Sequence, residues 1–174
     1  MKINKTKFKD LIIINNNCFK DNRGYFKELI KEKKLKIKFP FIVMSYSKKN
    51  VIRGLHLQKK QSQGKFISVI KGKIFDVALD LRKNSKTFGK YYFTYIDEKN
   101  SKSVYIPPGF AHGFQTLDKE NYVVYSCTKY RNKNSEISIN PLDKNLKIKW
   151  PKKIKIISDK DKFAPSYSSV LKIL

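Results

Sequence analysis

Apolar and polar residues alternate along this chain in short runs, as half-buried β-strands require. The clearest run covers residues 75–81, where four apolar side chains share one face and Asp76 and Asp80 share the other. Further strand-like runs are residues 50–57, 66–70, 91–96, 103–106 and 122–128. Helical periodicity is weak, and its best case is residues 25–36. Many short strands separated by turns predict an all-β sandwich or jelly roll.

Turn residues refine this picture at two places. Lys71-Gly72-Lys73 separates two strand-like runs and predicts a β-hairpin, and Pro107-Pro108-Gly109 predicts a tight turn. On the polar face of the 75–81 strand, Asp76 and Asp80 are expected to be solvated or to pair with lysines rather than with each other.

The chain of 174 residues fits one domain, and it contains no internal repeat and no linker. The N-terminal third and the segment after Trp150 are less regular and are expected to wrap around the core. No apolar run approaches the ~18 residues of a transmembrane helix. The apolar run at residues 11–14 is too short for a signal peptide and is followed by three asparagines. We therefore expect a cytoplasmic protein without a membrane partner, with Cys18 and Cys127 as reduced thiols.

The net charge of +25 raises the question of nucleic-acid binding. Only four of the 39 basic residues are arginines, namely Arg23, Arg53, Arg82 and Arg131. The planar guanidinium of arginine binds phosphates and bases better than the ammonium of lysine does. The lysines are, moreover, spread along the whole chain. The composition therefore argues against a nucleic-acid partner, although the charge favours anionic ligands.

His56 and His112 are the only histidines, and both lie near the ends of strand-like runs. They are too far apart in sequence to form a ligand pair, and no further ligand stands at a suitable spacing, so a metal site is disfavoured. Phosphate-binding glycine loops and serine-nucleophile motifs are also missing. The remaining enzymatic option is acid–base catalysis by His, Tyr, Lys and Asp side chains.

Seven short motifs, in order along the chain, resemble the dTDP-4-dehydrorhamnose 3,5-epimerase family. They are Asp21-Asn22-Arg23-Gly24-Tyr25-Phe26, Val51-Ile52-Arg53-Gly54-Leu55-His56-Leu57-Gln58, Gln63-Gly64-Lys65, the segment 72–82, Thr87-Phe88-Gly89, the segment 106–114 and Ser158-Asp159-Lys160-Asp161. Together they cover about residues 10 to 165. One departure is the apolar Phe41-Ile42-Val43, where the family usually carries a polar Gln-x-Asn segment that touches the nucleotide.

The resemblance implies a cupin-type jelly-roll β-sandwich with short peripheral helices, a homodimer, no metal or other cofactor, and a dTDP-4-keto-6-deoxy sugar as substrate. It further implies one domain over residues 1–174, with an N-terminal arm at about 1–45 and a C-terminal tail at about 150–174 that closes the site. The implied catalytic residues are the base His56, its partner Asp161, the proton donor Tyr125, and Lys65 at the keto oxygen. The implied substrate contacts are Arg23, Glu28, Arg53, His112, Glu136 and Lys160.

One geometric condition follows from these assignments. In a regular strand Arg53 and His56 point to opposite faces, so a shared pocket requires a bulge or twist at Gly54. Tyr25 and Phe26 are candidates either for stacking on thymine or for core packing.

The predicted reaction inverts C3 and C5 of the sugar through an enolate. Three alternatives stay open at this point. The first is a mono-epimerase or 3,4-ketoisomerase that acts on a related nucleotide-linked sugar. The second is a non-catalytic cupin that binds sugar nucleotides, and the third is a basic nucleic-acid-binding protein.

Overall fold

A computed structural model describes all residues from 1 to 174, and most of them form β-strands. The strands are, in chain order, β1 (Lys2–Lys5), β2 (Ile12–Asn15), β3 (Cys18–Asp21), β4 (Gly24–Lys27), β5 (Phe41–Lys48), β6 (Val51–Gln58), β7 (Lys65–Lys71), β8 (Lys73–Asp80), β9 (Tyr91–Asp97), β10 (Lys102–Ile106), β11 (Phe110–Thr116), β12 (Glu120–Cys127), β13 (Glu136–Ser138) and β14 (Ile156–Ile157). The helices are α1 (Glu32–Leu35), α2 (Asp159–Lys162) and α3 (Tyr167–Leu171), with 3₁₀ turns at Lys133–Ser135 and Lys144–Leu146.

Two main sheets form a β-sandwich. The first sheet has the order β1-β2-β10-β7-β12-β5, and the second has the order β13-β6-β11-β8-β9. Neighbouring strands in both orders are antiparallel, and β14 adds to β6 in the parallel sense. Strands β3 and β4 pair with each other as a separate ladder. This architecture confirms the predicted jelly-roll β-sandwich with short peripheral helices, and the strand-like runs of the sequence are all strands.

The main hydrophobic core combines residues of both sheets. It includes Ile67 and Val123 from the first sheet and Ile74, Ala78 and Phe114 from the second, all at most 1% exposed. Burying a large apolar side chain contributes roughly 1.5–3 kcal/mol, so this layer is the main source of cohesion between the sheets.

The outer faces of both sheets are also covered. Leu55 and Val77 on the second sheet pack in one cluster with Val170 of α3 and Trp150 from the C-terminal segment. On the first sheet, Phe66 packs in a cluster that residues around α1 complete. Strand β8 is therefore buried on both of its faces.

The two aspartates of β8 consequently differ from the sequence prediction. Asp76 and Asp80 are 2% and 0% exposed, and neither pairs with a lysine. Asp76 faces His112, whereas Asp80 accepts hydrogen bonds from Arg82, Ser85 and Thr87. The expectation of a solvated or lysine-paired face was wrong because alternation marks the two faces of a strand but not whether each face is covered.

The predicted hairpin at Lys71-Gly72-Lys73 was also wrong. Strand β7 pairs with β10 and β12 in the first sheet, whereas β8 pairs with β11 and β9 in the second. The chain crosses from one sheet to the other at Gly72, whose φ of +83° favours glycine. A turn with a central glycine looks the same in sequence whether it joins two strands of one sheet or connects two different sheets.

The predicted helix is shorter than expected. Only Glu32–Leu35 is helical within residues 25–36, because residues 24–27 pair with β3 instead.

Candidate active site

A cavity of about 490 Å³ opens between the two sheets. Strands β5, β7 and β12 of the first sheet contribute Ser45, Lys65 and Tyr125 to its lining, and β6 of the second sheet contributes Arg53 and His56. His112 of β11, Glu136 of β13, and Lys160 and Asp161 of α2 complete the group of predicted site residues that line it. The cavity thus gathers eight of the ten predicted residues around one space.

A β-bulge in β6 brings Arg53 and His56 to the same cavity. In the pairing with β11, His56 lies opposite His112 and Arg53 lies opposite Phe114, so β6 carries one extra residue between the two pairs. Gly54 has a φ of +108°, and a Cβ there would meet the Cα of Gly113 and the carbonyl oxygen of His112 at 2.6 Å. The bulge shifts the alternation of side chains by one residue, so that Arg53 and His56 point to the same side of β6.

His56 and Asp161 form a close pair at the wall of the cavity. The Nε2 atom of His56 lies 2.6 Å from Oδ1 of Asp161, and Oδ2 of Asp161 accepts a hydrogen bond from the backbone N–H of Gly54 at 3.1 Å. Burial tends to raise the pKa of Asp161, but the hydrogen bonds from His56 and Gly54 outweigh it and the pKa is lowered. An ionised Asp161 accepts the Nε2 proton, which leaves Nδ1 of His56 as the basic ring nitrogen.

Helix α2 presents Asp161 to the histidine. The side chain of Ser158 caps this helix by accepting a hydrogen bond from the N–H of Asp161 at 3.2 Å. A serine cap of this kind fixes the start of the helix, and it therefore fixes the position from which Asp161 contacts His56 of β6.

Tyr125 lies on the facing sheet and is largely buried. Its hydroxyl is 2.9 Å from the hydroxyl of Ser45, and its ring packs edge-on against His112 with the centroids 6.1 Å apart. Burial raises the pKa of the Tyr125 phenol, and the hydrogen bond with Ser45 opposes this only in part. The phenol is therefore protonated at neutral pH and able to donate a proton.

Lys65 places its amine inside the cavity. Its Nζ lies 3.5 Å from the backbone carbonyl oxygen of His56, and it has no carboxylate partner. Burial lowers the pKa of Lys65, with a smaller opposing effect from Cys127. A weakly paired lysine amine in such a place can donate a hydrogen bond to an anion that forms nearby and so stabilise it.

A second histidine–aspartate pair joins β11 and β8. Nε2 of His112 lies 2.7 Å from Oδ2 of Asp76, and both side chains are at most 3% exposed. This contact fixes the orientation of the His112 ring beside Tyr125. The sequence pointed to His112 but predicted that Asp76 is solvated or paired with a lysine, because the partner of a buried histidine is set by strand pairing and not by local sequence.

Three charged residues lie together at the rim of the cavity. Glu136 accepts hydrogen bonds from Arg131 at 2.9 Å and from Lys160 at 2.7 Å. Burial would raise the pKa of Glu136, but the hydrogen bonds from Arg131 and Lys160 outweigh it and lower the pKa to about 2. Arg131 has no role among the residues predicted from the sequence, because its contact with Glu136 arises only in the folded chain.

Two predicted substrate contacts lie outside the cavity of the single chain. Arg23, at the β3–β4 turn, pairs with Asp21 at 2.7 Å, and Glu28 pairs with Lys31 at 2.7 Å. On the same ladder, Tyr25 and Phe26 are 59% and 68% exposed, so neither is a core residue.

Other features of the chain bear on its chemistry. Cys18 and Cys127 are both free thiols, and no group of three or more His, Cys, Asp or Glu side chains is placed to hold a metal ion. No helix of the structure is long and apolar enough to cross a membrane.

The jelly roll and its charged inter-sheet cavity place the protein in the class of cupin-type isomerases. The profile of the dTDP-4-dehydrorhamnose 3,5-epimerase family matches residues 5–169. The chain belongs to this family.

Individual relatives agree with this assignment. The dTDP-4-dehydrorhamnose 3,5-epimerase of Methanothermobacter thermautotrophicus is 40% identical over 166 residues, which are 91% of this chain and 90% of the relative. A crystal structure of the Legionella pneumophila epimerase in complex with dTDP-4-keto-L-rhamnose has a TM-score of 0.90 at 40% identity, over 95% of this chain and 92% of that one. A 3'-monoepimerase of Streptomyces bikiniensis in complex with dTDP-quinovose has a TM-score of 0.90 at 26% identity, over 97% and 89%.

Proposed function

We propose that this protein inverts C3 and C5 of a dTDP-4-keto-6-deoxyhexose by proton transfer through an enolate. One observation carries the proposal: the ring of His56 and the hydroxyl of Tyr125 line the same cavity from facing sheets. Inversion at carbon requires that a proton leave one face of the sugar ring and that another arrive at the opposite face. A pair of acid–base groups on facing walls supplies both steps.

His56 acts as the base in this proposal. Its Nδ1 removes the C–H proton next to the C4 ketone, and the electron pair of that bond moves to give a C=C bond and a negative C4 oxygen. The Asp161 carboxylate, 2.6 Å from Nε2, stabilises the imidazolium that forms. Lys65 stabilises the enolate oxygen, which carries more negative charge than the ketone from which it forms.

Tyr125 completes the inversion. Its O–H proton passes to the carbon from the opposite face, and the C=O bond forms again. The raised pKa of the buried phenol keeps this proton in place until the enolate forms. The phenolate then takes a proton from water and His56 releases its own, so that no net proton, electron or cofactor is consumed.

The remaining predicted residues are assigned to substrate binding. Arg53 donates hydrogen bonds only to Ser47 and to the carbonyl oxygen of Tyr46, so its charge has no carboxylate partner and is available to an anion. His112 is held by Asp76 next to the phenol, where it can orient the sugar. Residues 150–174 supply Lys160 and Asp161 and thereby close the site as one part of a single domain over residues 1–174.

Arg23 and Glu28 fit this scheme if the active form is a homodimer. The β3–β4 ladder carries the exposed aromatic side chains of Phe19, Tyr25 and Phe26. Large exposed apolar patches mark interaction surfaces. Within the N-terminal arm of about residues 1–45, this ladder extends the arginine toward the nucleotide site of a second copy. Sedimentation at micromolar concentration should give twice the 20.5 kDa mass of the chain. The two free thiols agree with a cytoplasmic location.

Deuterium exchange tests the proposed reaction. The protein is incubated with the dTDP-4-keto-6-deoxyhexose in D₂O, and the sugar is examined by NMR. Label at both C3 and C5 is expected. Label at one carbon only would instead make the protein a mono-epimerase, an outcome to which the likeness to the Streptomyces bikiniensis enzyme gives weight. No label, with dTDP still bound, would leave a binding protein without this activity.

A further inference from the structure

We propose that Asn140 is a positioning residue for the acid–base pair, because it holds helix α2 in the place from which Asp161 reaches His56. The proposal rests on the base function proposed above for His56, and it names what sets the distance between the two groups. Asn140 does not line the cavity and forms no hydrogen bond with either group. Its effect on the reaction passes through α2 to Asp161.

Helix α2 depends on contacts with the rest of the chain. It has only four residues, Asp159–Lys162, which is little more than one turn. A helix of this length is not stable by itself. The Ser158 cap fixes its N-terminal end. The position of Asp161, one residue before the end of α2, therefore also depends on what holds the C-terminal end.

Asn140 holds that C-terminal end with two hydrogen bonds. Its side-chain Nδ2 donates to the carbonyl oxygen of Lys162, the last residue of α2, at 3.1 Å. Its backbone N–H donates to the carbonyl oxygen of Pro165 at 3.0 Å. The last carbonyl groups of a helix have no partner within the helix, so an outside donor is well placed there. One residue thus fixes both the end of α2 and the segment that follows it.

Asn140 is joined directly to the strand that carries His56. The residue before it, Ile139, exchanges two backbone hydrogen bonds with Leu55 of β6, at 2.9 and 3.2 Å. The Oδ1 atom of Asn140 accepts a hydrogen bond from the N–H of Leu142 at 2.9 Å, which fixes the amide and directs Nδ2 toward α2. The path from His56 to α2 therefore runs through one strand pair and one side chain.

The segment before α2 is held separately. Strand β14 pairs with Val51 and Ile52 of β6, so the chain is already fixed to the sheet when it enters α2. Without Asn140, only the C-terminal end of α2 becomes free to move. The Nε2–Oδ1 distance between His56 and Asp161 is 2.6 Å, and a displacement of about 1 Å would take it beyond hydrogen-bond range. Misplacement by about 1 Å can lower an enzymatic rate about 10²-fold.

The variant Asn140→Asp tests the proposal. An aspartate keeps an acceptor for the N–H of Leu142 but replaces the donor to Lys162 by a second oxygen, which the carbonyl repels. The readout is the ¹⁵N NMR spectrum of histidine-labelled protein without substrate. In the wild type we expect a protonated Nε2 on His56. In the variant this signal should move toward that of a mixture of tautomers, because Asp161 no longer holds the proton.

The spectrum contains its own control. His112 is the only other histidine of the chain, and it contacts Asp76 of β8, away from α2. Its signals should stay unchanged in Asn140→Asp. General damage to the fold would move the signals of both histidines, whereas loss of the positioning contact moves those of His56 alone.

The rate of epimerisation provides the second readout. We expect kcat of Asn140→Asp to fall about 30-fold, through the displacement of Asp161. Asn145→Asp adds the same charge at an exposed position in the neighbouring 3₁₀ turn, outside the cavity, and should keep the wild-type kcat and His56 signals. A wild-type kcat in Asn140→Asp would overturn the proposal.

A double variant tests whether the effect passes through Asp161. In the Asp161→Asn background, the further change Asn140→Asp should alter kcat by less than about twofold. A further loss of about 30-fold would overturn the proposal and assign the effect to another residue of α2, such as Lys160. Asn140→Ser is the second variant at the position, since serine accepts from Leu142 but is too short to reach Lys162. It should move the His56 signal in the same direction.

The NMR readout separates this proposal from the proposed function, because it requires no turnover. Unchanged His56 signals in Asn140→Asp, in a protein whose wild type exchanges deuterium, would overturn the positioning role and leave the epimerase reaction standing. Moved His56 signals in the variant, with no exchange by the wild type, would support the positioning role and reject the reaction.

Discussion

The imidazole of His56 and the carboxylate of Asp161 lie 2.6 Å apart, although 105 residues separate them along the chain. The contact joins a strand of the second sheet to a short helix near the C-terminus. It engages Nε2 and leaves Nδ1 as the unpaired nitrogen of the His56 ring, and the base function proposed for His56 depends on it.

Replacing Asp161 by asparagine should therefore lower kcat about 10³-fold, since the amide can hold the opposite tautomer of His56 and cannot stabilise its imidazolium. The rate of epimerisation followed by NMR measures this effect. Asp159→Asn on the same helix, outside the cavity, is the matched control and should keep nearly full activity. Equal losses in the two variants would point to damage to the helix rather than to the pair.

Tyr125→Phe should separate proton removal from inversion. We expect deuterium to enter the substrate still, because His56 is intact, whereas formation of the inverted product falls about 10²-fold. Tyr122→Phe on the same strand, whose ring packs at a tilt against Tyr46 with the centroids 5.0 Å apart, outside the cavity, should behave as wild type. If Tyr125→Phe inverted the sugar at the normal rate, another group would have to be the acid.

The β-bulge at Gly54 should tolerate no side chain. Gly54→Ala adds a Cβ that meets backbone atoms at 2.6 Å, at a φ of +108°, and should lower the free energy of unfolding by about 4 kcal/mol. Gly24→Ala is the control, because its φ of +132° brings strain but no atom lies within 4 Å of the added Cβ. Urea unfolding should show a loss of about 2 kcal/mol or less for the control. Equal losses would mean that the close contact with Gly113 has no effect.

Asp80 should contribute a stability that disappears in acid. Burial raises its pKa, but hydrogen bonds from Arg82, Ser85 and Thr87 outweigh it and lower the pKa from 3.8 to about 2. A depressed pKa in the folded state stabilises the fold above pH 4, and this contribution is lost as the pH falls toward 2. At pH 7, Asp80→Asn should lower the free energy of unfolding by about 1–2 kcal/mol. The difference from wild type should shrink between pH 4 and pH 2, and a constant difference would show that it has another origin.

The fold was largely predictable from the sequence, and the exceptions have a common physical reason. Alternation located β6, β8 and β12 because a strand shows its period locally. The pairing of strands is not local, so the sequence could not distinguish a hairpin from a sheet crossing at Gly72, or reveal that Asp80 is covered.

In the site, too, local sequence motifs were informative and contacts between distant segments were not. The resemblance to the family pointed to His56, Lys65, Tyr125 and Asp161, and these four residues line one cavity. Arg131 was missed because it joins the site only through its contact with Glu136. Such a contact cannot be read from the position of a residue in the sequence.

Exchange of substrate hydrogens in D₂O by the His56→Ala variant is the most direct test of the proposed mechanism. Calorimetric binding of dTDP first shows that the variant is folded and still takes up the nucleotide. We predict that deuterium uptake at C3 and at C5 then falls by about 10³-fold or more relative to wild type. Uptake at the wild-type rate at either carbon would show that a group other than this imidazole removes the proton.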